Sequence, residues 1–228
     1  MEKNRLTNKQ LAHIFDILGA QYGESILRTG WRGNKSWWQA NSALELMVGS
    51  ILVQNTNWKN VDQALGRFST PISPQFFLTV SLEEIAEVIR PAGFQNQKAQ
   101  KLKALFEWFS TYNFDVNQVT SKNKEVLRKE LLAIHGIGNE TADAMLVYVF
   151  NKTSFVIDAY ARRIFTRIGF AVPKSYTAFQ QMIENAILCD VPTYDYYHGL
   201  IVEHAKDYCT KIPKCDHCPL VKYCNKNI

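Results

Sequence analysis

Four of the chain's five cysteines crowd into its last twenty residues as Cys209, Cys215, Cys218 and Cys224, spaced C-x5-C-x2-C-x5-C; Cys189 stands apart. Nothing else in the sequence restricts the fold as strongly. A short, lysine-rich tail with no long apolar run cannot fold by burial alone, so four converging thiols would take their core from a bound metal. Thiolate is the ligand that soft iron or zinc selects. A disulfide pair or four unrelated thiols are the alternatives, but disulfides need an oxidising compartment, and Met1 to Gln10 is polar with no apolar signal segment. Spacing alone leaves iron–sulfur and zinc both open. Zinc ribbons usually carry two C-x2-C knuckles, whereas here one knuckle lies between two wider gaps.

At 228 residues, 46% of them hydrophobic and 21% charged, the chain has enough material for one large domain or two small ones. No stretch approaches the ~18 uninterrupted apolar residues of a membrane span, so a soluble intracellular protein is expected. The net charge of +5 permits a polyanionic partner without requiring one. Helical periodicity dominates. Leu44, Met47, Val48, Ile51 and Leu52 repeat at i, i+3, i+4, i+7 and i+8. Thr7 with Gln10 and Ser81 with Glu84 form capping-box patterns. Further amphipathic helices are predicted over 99–109, 124–132, 142–150, 160–168 and 179–188, and a last one over 194–208. Phe155-Val156-Ile157 has strand character but no neighbouring run to pair with. The expected class is all-α, with about ten helices.

The segment Leu131 to Ala142 joins two helices through His135-Gly136-Ile137-Gly138. Glycines there permit positive φ and close backbone approach, and amides at the turn and the next helix start make a phosphate site. A tight helical connection with no ligand reads the same way. About twenty residues later comes Phe155-Val156-Ile157-Asp158-Ala159-Tyr160-Ala161-Arg162-Arg163. Hairpin, Val-Ile-Asp segment and cysteine loop, in this order, resemble the helix-hairpin-helix DNA glycosylases of the endonuclease III family across nearly the whole chain. The resemblance implies a 4Fe-4S cluster on the four cysteines in preference to zinc, although the first two stand one residue closer than in the family. It implies a six-helix barrel over 39–151 that carries the hairpin. A second helical lobe would comprise 1–38 plus 152–228, with the cluster loop at 209–224. It also implies Asp158 as the catalytic carboxylate. Asp158 equally suits a helix N-cap, and the two roles are compatible, because a cap position favours the ionised form that can stabilise an oxocarbenium-like sugar.

Bifunctional members carry a lysine after the hairpin that attacks the sugar; the matching residue here is Glu140, which cannot form an imine. The expectation is therefore base removal without strand cleavage. Trp37 and Trp38, Trp58 after Gln54-Asn55-Thr56-Asn57, and Arg90 to Ala99 resemble the 3-methyladenine DNA glycosylase III branch, where Lys206 matches a lysine lining the active site. Any one tryptophan could be core, and Lys206 an ordinary surface lysine. N-alkylated purines carry positive charge, leave readily, and gain about 0.5–2 kcal/mol per contact on indole faces. Gln54 matches the family's gap-filling glutamine and Phe94 its apolar wedge, unless Phe94 packs under its loop. Lys98, Lys101, Lys103, Arg162, Arg163, Lys211, Lys214 and Lys222 are candidate phosphate contacts or simply solvated charge. The expectation is thus a monomeric, nucleoid-associated cytoplasmic enzyme that removes alkylated bases such as 3-methyladenine from double-stranded DNA. Its rivals are an endonuclease III-like glycosylase/lyase for oxidised pyrimidines, a mismatch-specific monofunctional glycosylase, and a non-catalytic metal-bound DNA-binding module.

Overall fold

The computed structural model describes residues 7–68 and 71–226; the polar start of the chain before Thr7 lies outside them. Among the described residues the order is α1 (Asn8–Tyr22), a hairpin of β1 (Arg28–Thr29) and β2 (Lys35–Ser36), α2 (Ala43–Leu52), α3 (Trp58–Leu65), α4 (Pro74–Thr79), α5 (Leu82–Val88), α6 (Gln95–Ser110), α7 (Val116–Thr120), α8 (Lys124–Ala133), α9 (Asn139–Ala144), α10 (Ala159–Ile168), α11 (Tyr176–Glu184) and α12 (Val191–Asp207). The class is all-α, as expected. The antiparallel hairpin, with Arg28 opposite Ser36, was not foreseen, because two-residue strands leave no alternation to read. No helix among the described residues is long and apolar enough to cross a membrane.

The chain divides into two compact units, one of Met1–Gln39 with Thr153–Ile228 and one of Ala40–Lys152. In the central unit α2 is buried on nearly all sides, from Leu46 through Leu52, with Leu44 only half-buried. The expected stripe is therefore part of a helix that is enclosed from Leu46 onward. Phe77 stacks on Phe106 with centroids 4.1 Å apart, filling the space between α4 and α6. Capping explains several starts: Ser42 accepts from Glu45 N–H, Asn57 from Asn60 N–H, and Ser81 with Glu84 closes the expected capping box. Helix was expected through 142–150, but α9 gives way at Met145 to a wide turn, Met145–Val149, in which Phe150 N–H reaches the Met145 carbonyl.

The hairpin between α8 and α9 is fastened by a part-buried ion pair. Arg128 Nε and Nη2 donate to Asp143 Oδ1 and Oδ2 at 2.8 and 3.0 Å, and Nη2 also reaches Asn139 Oδ1 at 2.9 Å. Asp143 has no exposed surface. Between these helices Gly136 takes φ +79°, and a Cβ there would run into the stem of Lys101. The turn thus needs glycine both for its backbone and for its neighbour.

In the terminal unit α1, α10, α11 and α12 share one apolar core that includes Leu11, Leu18, Phe165, Phe179, Tyr197 and Leu200. Phe155 to Ile157 is buried and, among the described residues, pairs with no strand. Instead α11 satisfies it with side chains one turn apart. Tyr176 Oη accepts the Ile157 N–H at 3.2 Å, Gln180 Nε2 donates to the Phe155 carbonyl at 2.7 Å, and Glu184 Oε1 accepts the Phe155 N–H at 2.8 Å. This helix spans Tyr176–Glu184, so the stretch predicted over 179–188 begins and ends earlier than expected.

Candidate active site and DNA-facing loops

In the terminal unit, α10 starts at Asp158. Its Oδ1 accepts the Ala161 N–H at 2.7 Å, so the residue is an N-cap. The second oxygen, Oδ2, stands 3.7 Å from His198 Nε2, and the residue keeps 9% exposure. One oxygen is thus committed to the helix while the other faces an imidazole.

His198 belongs to a row on α12: Asp195, His198, Gly199, Glu203 and Lys206 recur at helical spacing. Trp37 lies on this row. A Cβ at position 199 would overlap the Trp37 side chain, so glycine makes room for the indole. Asp195 Oδ1 accepts the Trp37 backbone N–H at 2.9 Å, and the His198 ring meets the indole edge-on, centroids 5.4 Å apart. Glu203 Oε1 accepts both the indole N–H and the Lys206 ammonium, each at 3.0 Å. The same ammonium lies 5.6 Å from the centroid of a Trp37 ring. Burial pushes the Asp195 carboxyl up to about 6, against the lowering effects of the Ser36 hydroxyl, the Trp37 N–H and the charge of His198. Chemically this is an aromatic face bordered by carboxylates, one of them beside Asp158's imidazole neighbour. Trp38 is half-buried in the same unit.

In the central unit, Trp58 is half-buried at the first turn of α3, where it hydrogen-bonds Asp62. The three indoles therefore divide between the units, Trp37 and Trp38 in one and Trp58 in the other. Phe94 caps α6 in the left-handed region at φ +50° and is 59% exposed, displayed rather than packed under its loop. Gln54 is held. Its Nε2 donates to Thr141 Oγ1 at 3.0 Å and to the Gly136 carbonyl at 3.3 Å, and its Oε1 accepts from Lys101 Nζ at 2.6 Å. His135, Gly136 and Gly138 are exposed, whereas Ile137 anchors the turn from inside at 5% exposure. Glu140 is exposed in the first turn of α9, where the helix N-terminus favours a carboxylate.

Of the candidate phosphate contacts, Lys98 proves to be buried, and the half-buried Arg162 and Arg163 already bind backbone carbonyls. Lys98 is 1% exposed, Arg162 donates to the Pro173 carbonyl at 2.9 Å, and Arg163 Nε donates to the Cys209 carbonyl at 2.7 Å. Lys211, Lys214 and Lys222 remain exposed.

All four tail cysteines line one cavity with Arg167, Ile168, His204 and Leu220. Arg167 Nη1 lies 3.4 Å from Cys209 Sγ and also donates to the Thr210 carbonyl at 2.6 Å. Burial first, with the neighbouring sulfurs adding to it, pushes the Cys218 and Cys224 thiols up; a cation held among them reverses that preference. Among the described residues, no group of three or more His, Cys, Asp or Glu side chains is drawn together as an ion-holding set. The donor set nonetheless suits a thiolate-ligated group, since four sulfurs share one cavity and Arg167 supplies positive charge.

The sequence reading missed Asp195, His198, Gly199 and Glu203, as well as Lys98's burial. A signal existed: Asp195, His198 and Glu203 recur at helical spacing along α12 and lead to the already selected Lys206.

Residues 48–187 match the family model described as HhH-GPD superfamily base excision DNA repair protein. The chain therefore belongs to this superfamily and is a base-excision DNA glycosylase. It is 40% identical over 197 residues, covering 84% of this chain and 90% of the relative, to MJ1434 of Methanocaldococcus jannaschii, whose name assigns it provisionally to the DNA repair glycosylases. The structure is similar to Helicobacter pylori 3-methyladenine DNA glycosylase (MagIII) bound to 1,N6-ethenoadenine, at TM-score 0.69 and 26% identity over 84% of this chain and 96% of that one. It shares its fold with endonuclease III in a non-covalent DNA complex, at TM-score 0.77 and 20% identity over 97% and 96% of the two chains.

Proposed function

We propose that this glycosylase is monofunctional and hydrolytically releases alkylated bases, 3-methyladenine among them, from double-stranded DNA after everting the damaged nucleotide. The observation that carries this reading is the α12 row, which sets the Trp37 indole beside the imidazole that faces Asp158 Oδ2. An indole with Glu203 at its edge suits a cationic base, for which cation–π attraction adds about 0.5–2 kcal/mol per contact. Asp158 then serves as the catalytic carboxylate, stabilising positive charge at the sugar or orienting water. Glu140, at the position of the family's nucleophilic lysine, offers no amine for an imine and so favours a reaction that stops at the abasic site. Trp37 and Trp38 face the base in this reading, with Lys206 beside the Trp37 ring, and Trp58 is the aromatic candidate of the central unit. Phe94 is the wedge, Gln54 the gap-filler, and His135 to Gly138 present backbone to a phosphate. The division of the chain into 40–152 and 1–39 with 153–228 supports reading a barrel over 39–151 and a cluster-bearing lobe of 1–38 plus 152–228.

Cys209, Cys215, Cys218 and Cys224 would hold a 4Fe-4S cluster, which supplies a structural core for the tail. Arg163 and Arg167 draw the Cys209 segment onto α10 by binding its carbonyls. Fresh protein should absorb near 400 nm; colourless protein containing zinc would replace the cluster with a single ion.

The functional test is release of 3-methyladenine from methylated duplex DNA, run alongside a duplex carrying oxidised pyrimidines. Alkylated base is expected as product, and Asp158→Asn should lower turnover by about 10²–10³-fold. A borohydride-trapped covalent adduct on abasic DNA would overturn the monofunctional reading. Preferential release of oxidised pyrimidines would overturn the substrate.

A further inference from the structure

Lys98 is a buried cation whose two hydrogen-bond acceptors are neutral. Its Nζ donates to the Leu52 and Ala92 carbonyls, each at 2.8 Å, while the side chain is almost wholly enclosed. Leu52 is the last residue of α2, so its carbonyl is one that the helix cannot satisfy internally. Ala92 ends the tight turn Arg90–Ala92 that leads through Gly93 to Phe94. One ammonium therefore grips the stem of the Gln54 loop and the stem of the Phe94 loop. The Phe94 ring itself lies 5.9 Å from Nζ, within cation–π range. Lys101, one turn further along α6, holds Gln54 Oε1 and packs across Gly136.

Removing a cation from water without an anion to pair it is unfavourable. Burial, with a smaller contribution from Lys101, pushes the Lys98 ammonium down to about 8. A methionine would fill the same space with no such penalty, but it would leave two carbonyls unsatisfied and two loops unconnected. The open hollow between these loops is lined by Gln54, Asn55, Phe94, Gln97, Lys98 and Lys101, so the clamp forms part of the floor between the two side chains assigned to probe DNA.

We propose that Lys98 is a positioning residue that binds the Gln54 and Phe94 loops into one rigid probe, so that wedge and gap-filler enter the duplex together. This rests on the reading of Phe94 and Gln54 under the proposed function. It assigns Lys98 no contact with substrate.

The test compares wild type, Lys98→Met, Phe94→Ala and the double variant for binding to a duplex with a tetrahydrofuran abasic analogue and to the same duplex undamaged. Lys98→Met should weaken abasic binding about tenfold, the scale of a lost charged hydrogen bond, and leave undamaged binding within about twofold. The double variant should bind no worse than Phe94→Ala. Hydrogen exchange should rise in residues 53–57 and 92–95 together while the middles of α2 and α6 stay protected. Losses that multiply, equal weakening on both duplexes, or loosening of one loop alone would each overturn the proposal. Should Lys98→Met not fold, Lys98→Gln is judged by the same outcomes. If Phe94→Ala binds the abasic duplex normally, the wedge reading itself fails and this proposal with it; a normal wedge phenotype with multiplying losses refutes only the clamp.

Discussion

Asp143 and Asp195 are both buried carboxylates on helices, at 0% and 5% exposure, and they are treated very differently. Asp143 receives a two-pronged guanidinium from Arg128. Asp195 receives one backbone N–H from Trp37, the Ser36 hydroxyl and the charge of His198, and burial still pushes it up to about 6. The first arrangement fixes a turn through a charge-assisted, two-pronged hydrogen bond. The second holds an aromatic side chain with a group that can gain a proton under mildly acidic conditions. A helix hairpin that must only keep its shape takes a full ion pair. The row next to Asp158 retains a weakly compensated carboxylate, and sites of chemistry are where such groups concentrate.

The sharpest way to break this comparison is Asp143→Ala. It strands Arg128 at the α8–α9 junction and should cost about 3–5 kcal/mol in urea unfolding. A loss below about 1 kcal/mol would show the pair to be dispensable, in the manner of surface pairs. Next in size is Asp195→Asn. Because the folded carboxyl titrates above its unfolded value of about 4, the unfolded chain sheds its proton first as pH rises. The stability that Asp195 contributes is therefore full below about pH 4 and is lost as pH climbs through about 6, by no more than about 3 kcal/mol. The wild-type-minus-variant difference should shrink across that window and flatten above it; a pH-independent difference would refute the raised Asp195 carboxyl. The smallest effect is expected for Arg128→Lys, which keeps the charge and loses the fork, at about 1–2 kcal/mol. Equal stability would mean that charge alone, without bidentate geometry, secures the hairpin.

Much of this architecture was legible in the sequence because it depends on local chemistry. Ser81 with Glu84 marks a helix start through two hydrogen bonds made within four residues, and Gly136 marks a turn through a backbone angle. The cysteine spacing advertises a shared cavity, and Asp158 before Ala159 advertises a cap. What could not be read is what depends on a distant partner. Lys98 looks like a surface lysine among Lys101 and Lys103 until Leu52 and Ala92 are brought to it. Arg162 and Arg163 look like phosphate ligands until the Pro173 and Cys209 carbonyls are seen to occupy them. Gly199 resembles an ordinary weak point in a helix, and only the Trp37 indole explains it.

The buried run entering Asp158 has a consequence for strand docking. Three buried apolar residues outside any helix would ordinarily invite a foreign strand to dock alongside. Here Tyr176, Gln180 and Glu184 occupy hydrogen-bonding positions that such a strand would need at Phe155 and Ile157. A single helix thus acts as a surrogate neighbour, seals a sticky edge, and sets the path of the backbone into the N-cap. Shortening Glu184 would unmask an amide two peptides upstream of a second anchored one, so aggregation on mild heating should rise before any helix melts.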